Sequence, residues 1–281
     1  MKQRPFGPTS VPVAVIGEGT WNMEGDDRAS AIAAIRRALD LGATHIDTAE
    51  MYGQGQVERL VGEAISGRRS EVFLVSKVLP TNATRHGTVA ACDRSLKRLG
   101  TDYLDCYLLH WPGSHPLEQT FRAFMDLEQA GKIRSFGVSN FDESELRQAV
   151  RIAGSGRIAQ NQVLYHLGER RIEHEVIPYC EEEEIAVVAY SPFGSGDFPS
   201  ERSTGGRILR TIAAAHGVSP FQVALAFLTR KKHVFAIPKA SSSGHVEDNV
   251  RAADLVLTDS DVMAIEEAFP RGPRRRCVPM L

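Results

Sequence analysis

Apolar positions recur along the chain in two alternating patterns. Short runs rich in Val, Ile, Leu and aromatic residues are VAVIG (13–17), THID (44–47), VFLVSKV (72–78), YLDCYLL (103–109), SFGVS (135–139), AQNQVLY (159–165), AVVAYS (186–191) and VFAIP (234–238). Several are apolar at consecutive positions, as strands covered on both faces of a parallel sheet are. Between them lie stretches of helical period, among them RASAIAAIRRALDL (28–41), HGTVAACDRSLKRL (86–99) and LEQTFRAFMDLEQA (117–130). This alternation persists to the end of the chain and predicts an α/β fold. Gly42, Gly67, Gly100, Gly131, Gly156 and Gly217 each stand between a helical stretch and the next strand. Glycine turns a chain there because it takes the left-handed conformation cheaply. The stretch GSGDFPSERSTGG (194–206) comes nearest to a linker, but it falls inside the repeat. Eight βα units predict a single domain over 1–281, folded as a (β/α)8 TIM barrel. A doubly wound dinucleotide fold fits less well, since GEGTWNM (17–23) holds only two glycines of the fingerprint and opens no evident helix.

A barrel of this kind carries its chemistry where the strands end. The residues at those points are Thr20 and Trp21, Asp47 and Tyr52, Lys77, His110 and Trp111, Ser139 and Asn140, Asn161 and Gln162, Tyr190 through Phe193, and Pro238 and Lys239. Polar and aromatic groups thus collect at the same end of every strand. An ammonium at Lys77 beside the Tyr52 phenol favours the phenolate and is expected to lower its pKa from ~10 toward the working range. Asp47 can pair with the lysine, and His110 can hydrogen-bond a substrate oxygen. The set reads as a proton donor aimed at a developing alkoxide, with a hydride carrier as its natural co-reactant. His45 shares a face with Asp47 and could imitate half of a metal pair. No further His, Asp or Glu completes the shell, so it reads as a satisfied core histidine and no metal site is expected.

Charge narrows the choice of partner. The net charge of −2 shows no basic excess, which argues against nucleic acid. No apolar run approaches the ~20 residues of a membrane helix. The opening MKQRPFGPTS shows no apolar signal segment. Cys92, Cys106, Cys180 and Cys277 lie far apart without metal-ligand spacing, which suggests reduced thiols in a cytoplasmic protein.

The segments GEGTW, HIDTAEMYG, VFLVSKV, LLHWP, GKIRSFGVSNF, NQVLYH, AYSPFG and AIPKASS together resemble the aldo-keto reductase family over essentially the whole chain. The nearest group is similar to short bacterial reductases that act on methylglyoxal and related small aldehydes. The resemblance implies a (β/α)8 barrel opened by a short N-terminal hairpin, supplied here by RPFGPTSVPVAVIG (4–17). It implies catalysis by Asp47, Tyr52, Lys77 and His110, with Tyr52 protonating the carbonyl oxygen and hydride coming from NADPH. NADH is the less favoured cofactor. Gly19, Thr20, Trp21 and Asp47 would border the cofactor. Ser139, Asn140 and Gln162 would meet the nicotinamide carboxamide. Tyr190 would stack on the ring, and Ser191, Pro192, Phe193 and Gly194 would run beside the pyrophosphate. Ile237, Pro238, Lys239, Ala240, Ser241 and Ser242 would take the adenosine end, with Lys239, Ser241 and Ser242 serving a 2′-phosphate. Asn249 would face the adenine. Many members carry an arginine where His245 stands, so the preference for NADPH over NADH is expected to be narrowed. Trp21, Met51, Tyr52, His110 and Trp111 would wall the substrate pocket, joined by Tyr165 and His166. The loop WPGSH and the tail beyond Phe269 are short, which implies an open site for small aldehydes or dicarbonyls. A monomer is the family default. The competing expectation is an NADP-binding regulatory protein with slow turnover on the same fold.

Overall fold

Alternation within the apolar runs sorts their side chains into two cores. In a computed structural model, which describes residues 1–275 and 277–281, eight parallel strands form one sheet. They are β3 (Glu18–Gly19), β4 (His45–Asp47), β5 (Phe73–Val78), β6 (Cys106–Leu109), β7 (Phe136–Ser139), β8 (Ile158–Leu164), β9 (Ala186–Tyr190) and β10 (Val234–Ile237). Each pairs with its neighbour in chain order. Backbone bonds from Gly17 to Ala236, from Gly19 to Pro238 and from Ala236 to Val15 then join the first strand to the last. Phe73, Val75, Cys106, Leu108, Val188, Phe235 and Ile237 meet one another inside the closed sheet. Their sequence neighbours Leu74, Tyr107, Val187 and Ala236 belong to the larger outer core beneath the helices. Period two on a barrel strand accounts for both cores at once.

The first run is divided more finely than its pattern suggested. Val13 and Ala14 lie in β2 (Pro12–Ala14), which pairs antiparallel with β1 (Gln3–Pro5). Ile16 bridges to Ala236, and the first barrel strand proper is only Glu18–Gly19. The chain leaves the hairpin and enters the barrel within four residues, so VAVIG cannot be one strand. Phe6, at the hairpin, packs on Phe73 and Phe235 at ring separations of 4.8 and 4.9 Å and closes the end where the strands begin.

The helices are α1 (Arg28–Asp40), α2 (Gln56–Ala64), α3 (Arg85–Leu99), α4 (Leu117–Gln129), α5 (Glu143–Ala153), α6 (Val176–Glu182), α7 (Thr204–His216), α8 (Pro220–Leu228), α9 (Ser243–Arg251) and α10 (Asp259–Ala268). All six of those glycines have positive φ; five precede a strand as expected, but Gly217 ends α7 and leads into α8 instead. Two helices, α7 and α8, follow β9 rather than one. Together they are apolar enough to resemble a membrane span, but they are broken by 96°; among the described residues no single helix is long and apolar enough to cross a membrane. The cysteines are free, and burial pushes the Cys92 and Cys106 thiols up to about 12.

One irregularity positions the site. Phe136 pairs with Ile158, yet Val138 pairs with Asn161, so β8 carries one extra residue. A Cβ on Gly137 would meet the Gln160 carbonyl oxygen at 2.5 Å, closer than real contacts allow. Glycine therefore admits the bulge. Past it, Asn161 turns outward and exchanges hydrogen bonds with the Phe141 backbone, while Gln162 turns into the barrel.

Candidate active site

The C-terminal strand ends converge on a cleft of about 330 Å³. Interior parity continues one step past the apolar layers, so Asp47, His110, Gln162 and Tyr190 follow interior residues onto its floor and walls, while Lys77, at the same parity, is buried against Asp47 and Tyr52 and does not itself line the cleft. Lys77 is 0% exposed, and its Nζ donates to Asp47 Oδ1 at 2.5 Å, to the Thr48 carbonyl at 2.9 Å and to Tyr52 Oη at 3.0 Å. Gln162 Nε2 donates to the other Asp47 oxygen at 2.7 Å from across the barrel. The tyrosine is delivered by a tight turn: Gly53, Gln54 and Gly55 all have positive φ directly after it. Glu50, just before it, accepts from the Leu79 amide and Asn82 and so clamps this turn to the one after β5.

Electrostatics of the buried pair follow from that geometry. Burial opposes the charge on Lys77, but Asp47 and Tyr52 outweigh it and the lysine sits above its ordinary value. Burial raises the Asp47 carboxyl, a rise held back by Lys77 and Gln162. For Tyr52 the expectation of a lowered pKa is corrected. Burial raises it above its ordinary 10.0; Lys77 works against that rise, and Asp47 adds to it. The phenol therefore stays protonated through the neutral range, and the lysine limits the rise rather than reversing it. His110 is pushed well below 6.5 by burial and by Lys77, so its ring is neutral at pH 7. It stands edge-on to Tyr52 with ring centres 5.8 Å apart, and its Nδ1 is buried without a partner. The arrangement can give a proton from Oη to an oxygen in the cleft while an ammonium 3.0 Å away steadies the resulting phenolate.

Other expected residues divide into those at the cleft and those beside it. Gly19, Thr20, Trp21, Met51, Trp111, Ser139, Asn140, Ser191, Ile237 and Lys239 all line it. Asn140 has φ +62 and Ser191 φ +47, conformations that L side chains rarely adopt and that concentrate at functional sites. Asn140 donates to the His110 carbonyl and to Ser139 Oγ and accepts from Tyr190 Oη at 2.9 Å, which ties three strand ends together. Pro192, Phe193, Gly194, Pro238, Ala240, Ser241 and Ser242 lie on adjoining loops, and His245 and Asn249 on helix α9, rather than in the cleft wall. Phe193 packs on Phe221 at 5.0 Å. Ser242 caps α9 by accepting from the His245 amide.

Tyr165 and His166 do not line the cleft. Tyr165 is fully buried and donates to Glu173 at 2.6 Å, inside a charged cluster with Arg170 and Arg230. Met280 and Leu281 take the place expected of them, since the short tail turns back over the barrel mouth. No local pattern in the tail signals this return. His45 is buried as expected but not satisfied: neither ring nitrogen has a partner, and burial lowers its pKa to about 3. Among the described residues no group of three or more His, Cys, Asp or Glu side chains is placed to hold a metal.

Comparison with known proteins identifies the family and the fold. Residues 15–269 match the family model of the aldo/keto reductase family. The chain is 41% identical over 277 residues to methylglyoxal reductase YeaE of Escherichia coli (strain K12), covering 98% of this chain and 97% of that protein. It is 33% identical over 261 residues to a 9,11-endoperoxide prostaglandin H2 reductase of Trypanosoma cruzi (strain CL Brener), covering 92% and 88%. Among solved structures, an aldo/keto reductase from Klebsiella pneumoniae in complex with NADP and acetate superimposes with a TM-score of 0.92 at 40% identity, over 100% of both chains. The chain therefore belongs to the aldo/keto reductase family of oxidoreductases.

Proposed function

We propose that this enzyme reduces small aldehydes and dicarbonyls of the methylglyoxal type to alcohols with NADPH, using Tyr52 as proton donor. The observation that carries the reading is the buried contact of Lys77 Nζ with both Asp47 and Tyr52 Oη on the floor of the cleft. Relatives named for methylglyoxal reduction and for NADP complexes supply the substrate and cofactor classes. The residues fit a nicotinamide nucleotide. Ser139, Asn140 and Gln162 bring amide and hydroxyl groups suited to a carboxamide, and Tyr190 brings an aromatic face. Gly19 leaves its place in the wall bare, because a Cβ there would meet the Ile237 carbonyl at 2.5 Å. Lys239 and Ser241 offer charge and a hydroxyl to a phosphate.

When bound, the reduced nicotinamide supplies hydride to the carbonyl carbon. Tyr52 gives its hydroxyl proton to the carbonyl oxygen as that oxygen becomes basic. Lys77 stabilises the phenolate left behind, and Asp47 with Gln162 fixes the lysine head. His110, neutral, offers one N–H to the same oxygen and orients it. Trp21, Trp111, Met280 and Leu281 line the cleft with apolar surface on which a small carbonyl compound can rest.

The test is loss of reduced-cofactor absorbance with methylglyoxal, run with NADPH and with NADH and then with a bulky ketosteroid. Turnover with NADPH and a higher kcat/KM for methylglyoxal than for the ketosteroid is expected. Tight NADPH binding with slow turnover on every carbonyl would turn the reading toward a regulatory protein.

The pH profile gives a second expectation. Because His110 lies well below 6.5 and Tyr52 above 10.0, neither titrates in the neutral range. The kcat for reduction should show no inflection near pH 6.5 and should fall only as pH rises past the tyrosine. Alcohol oxidation, which needs the phenolate, should rise through the same alkaline window. A step near pH 6.5 that vanishes in His110→Asn would show that the histidine titrates and would refute its neutral role.

A further inference from the structure

Lys239 and Ser241 can meet a phosphate only by giving up a partner they already have. Asp26, 215 residues away from Ser241 in the chain, closes on both of them: Oδ2 accepts from Lys239 Nζ at 2.5 Å and from the Ser241 hydroxyl. The aspartate is held firmly. The short helical turn Met23–Gly25 precedes it, the Met23 side chain is fully buried, and the Asp26 amide donates to the Met23 carbonyl at 3.2 Å. Asp27, next in the chain, caps α1 by accepting from the Ser30 amide at 2.8 Å. A second carboxyl lies behind the lysine, since buried Glu18 accepts from the Ala240 amide at 2.7 Å and interacts with the Lys239 charge. Lys239 thus already has a carboxylate partner before any nucleotide arrives.

We infer that Asp26 is a specificity-determining residue that disfavours a nucleotide bearing a 2′-phosphate relative to one bearing a 2′-hydroxyl, because that phosphate must displace it from Lys239 and Ser241. The inference rests on the proposed use of a nicotinamide dinucleotide at this cleft. A phosphate dianion and the Asp26 carboxylate need the same two donors and repel each other. A ribose hydroxyl makes no such demand and can itself donate to a carboxylate. Asp26 and Lys239 are partly exposed, at 27% and 34% of their side chains, so the ion pair is solvent-screened and can be displaced. The enzyme is then poised to use both nucleotides, with the NADPH preference set below what Lys239 and Ser241 would give unopposed.

Calorimetric titration of wild type, Asp26→Asn and Asp26→Ala with NADPH and with NADH tests this. Both variants should lower the Kd for NADPH relative to that for NADH by about fivefold or more. Unfolding midpoints without nucleotide should lie close to wild type, because a part-exposed pair contributes little to stability. An unchanged Kd ratio would show that Asp26 does not discriminate between the nucleotides, and a shift toward NADH would show that it presents Lys239 to the phosphate; either would overturn the inference. Wild type that binds neither nucleotide would overturn the cofactor reading itself, and this inference with it.

Discussion

Tyr52→Phe is expected to lower kcat for carbonyl reduction by about a thousandfold, within the range a positioned general acid contributes. NADPH affinity should stay within about twofold of wild type, because the lost group acts on the reacting oxygen and not on the bound ground state. The variant keeps the ring, and with it the edge-on packing against His110 at 5.8 Å. Lys77 loses one acceptor but keeps Asp47 and the Thr48 carbonyl, so the buried ammonium stays paired. Thermal stability should therefore change little, and a collapse in rate would report chemistry rather than unfolding. Single-turnover absorbance measurements with saturating NADPH separate the two. Residual activity above about a tenth of wild type would exceed what loss of the general acid permits and would move the proton source to another group at the cleft. The alkaline fall in kcat should disappear in the same variant, since the group that causes it is gone.

What was legible in the chain depended on how local each signal is. Strand parity and the residue after each strand are local, so the sequence alone brings Asp47, Tyr52, Lys77 and His110 together at one end of the barrel. The glycines after helices are local in the same way, and all six adopt positive φ. The bulge in β8 was not legible: it depends on Gly137 of one strand meeting Gln160 of the next, and neither residue marks it alone. Asp26 meets Lys239 only because the last strand closes on the first, which no stretch of sequence displays. Met280 and Leu281 reach the cleft from a tail whose described residues form no helix or strand and thus show no period. The Tyr52 pKa failed for a different reason. The neighbouring charge was identified correctly, but the size of the opposing desolvation depends on burial, and Tyr52 is only 8% exposed. Charge neighbours can be guessed from order along the chain; the dielectric around them cannot.

Lys77→Met carries the largest expected loss, because it removes catalysis and stability through one contact. Lys77 and Asp47 are ion-paired at 2.5 Å with side-chain exposures of 0% and 2%. Methionine matches the length of the lysine stem but leaves Asp47 charged, buried and supported only by Gln162. Removing one member of such a pair costs about 3–5 kcal/mol, which for a chain of this size lowers Tm by roughly 10 °C. Reduction should fall at least as far as in Tyr52→Phe, since the phenolate formed by proton donation would face Asp47 without an intervening ammonium. The double variant Lys77→Met/Asp47→Asn removes the stranded charge and should recover most of the lost stability. It should recover none of the activity, because the cation beside Tyr52 is still absent. Calorimetric unfolding of the single and double variants, with assays on each, separates the two roles. Activity returning together with Tm would mean that Lys77 matters only as ballast for Asp47, and the proposed part of the ammonium in proton transfer would be wrong. Stability returning without activity is the outcome required by an ammonium 3.0 Å from the tyrosine oxygen.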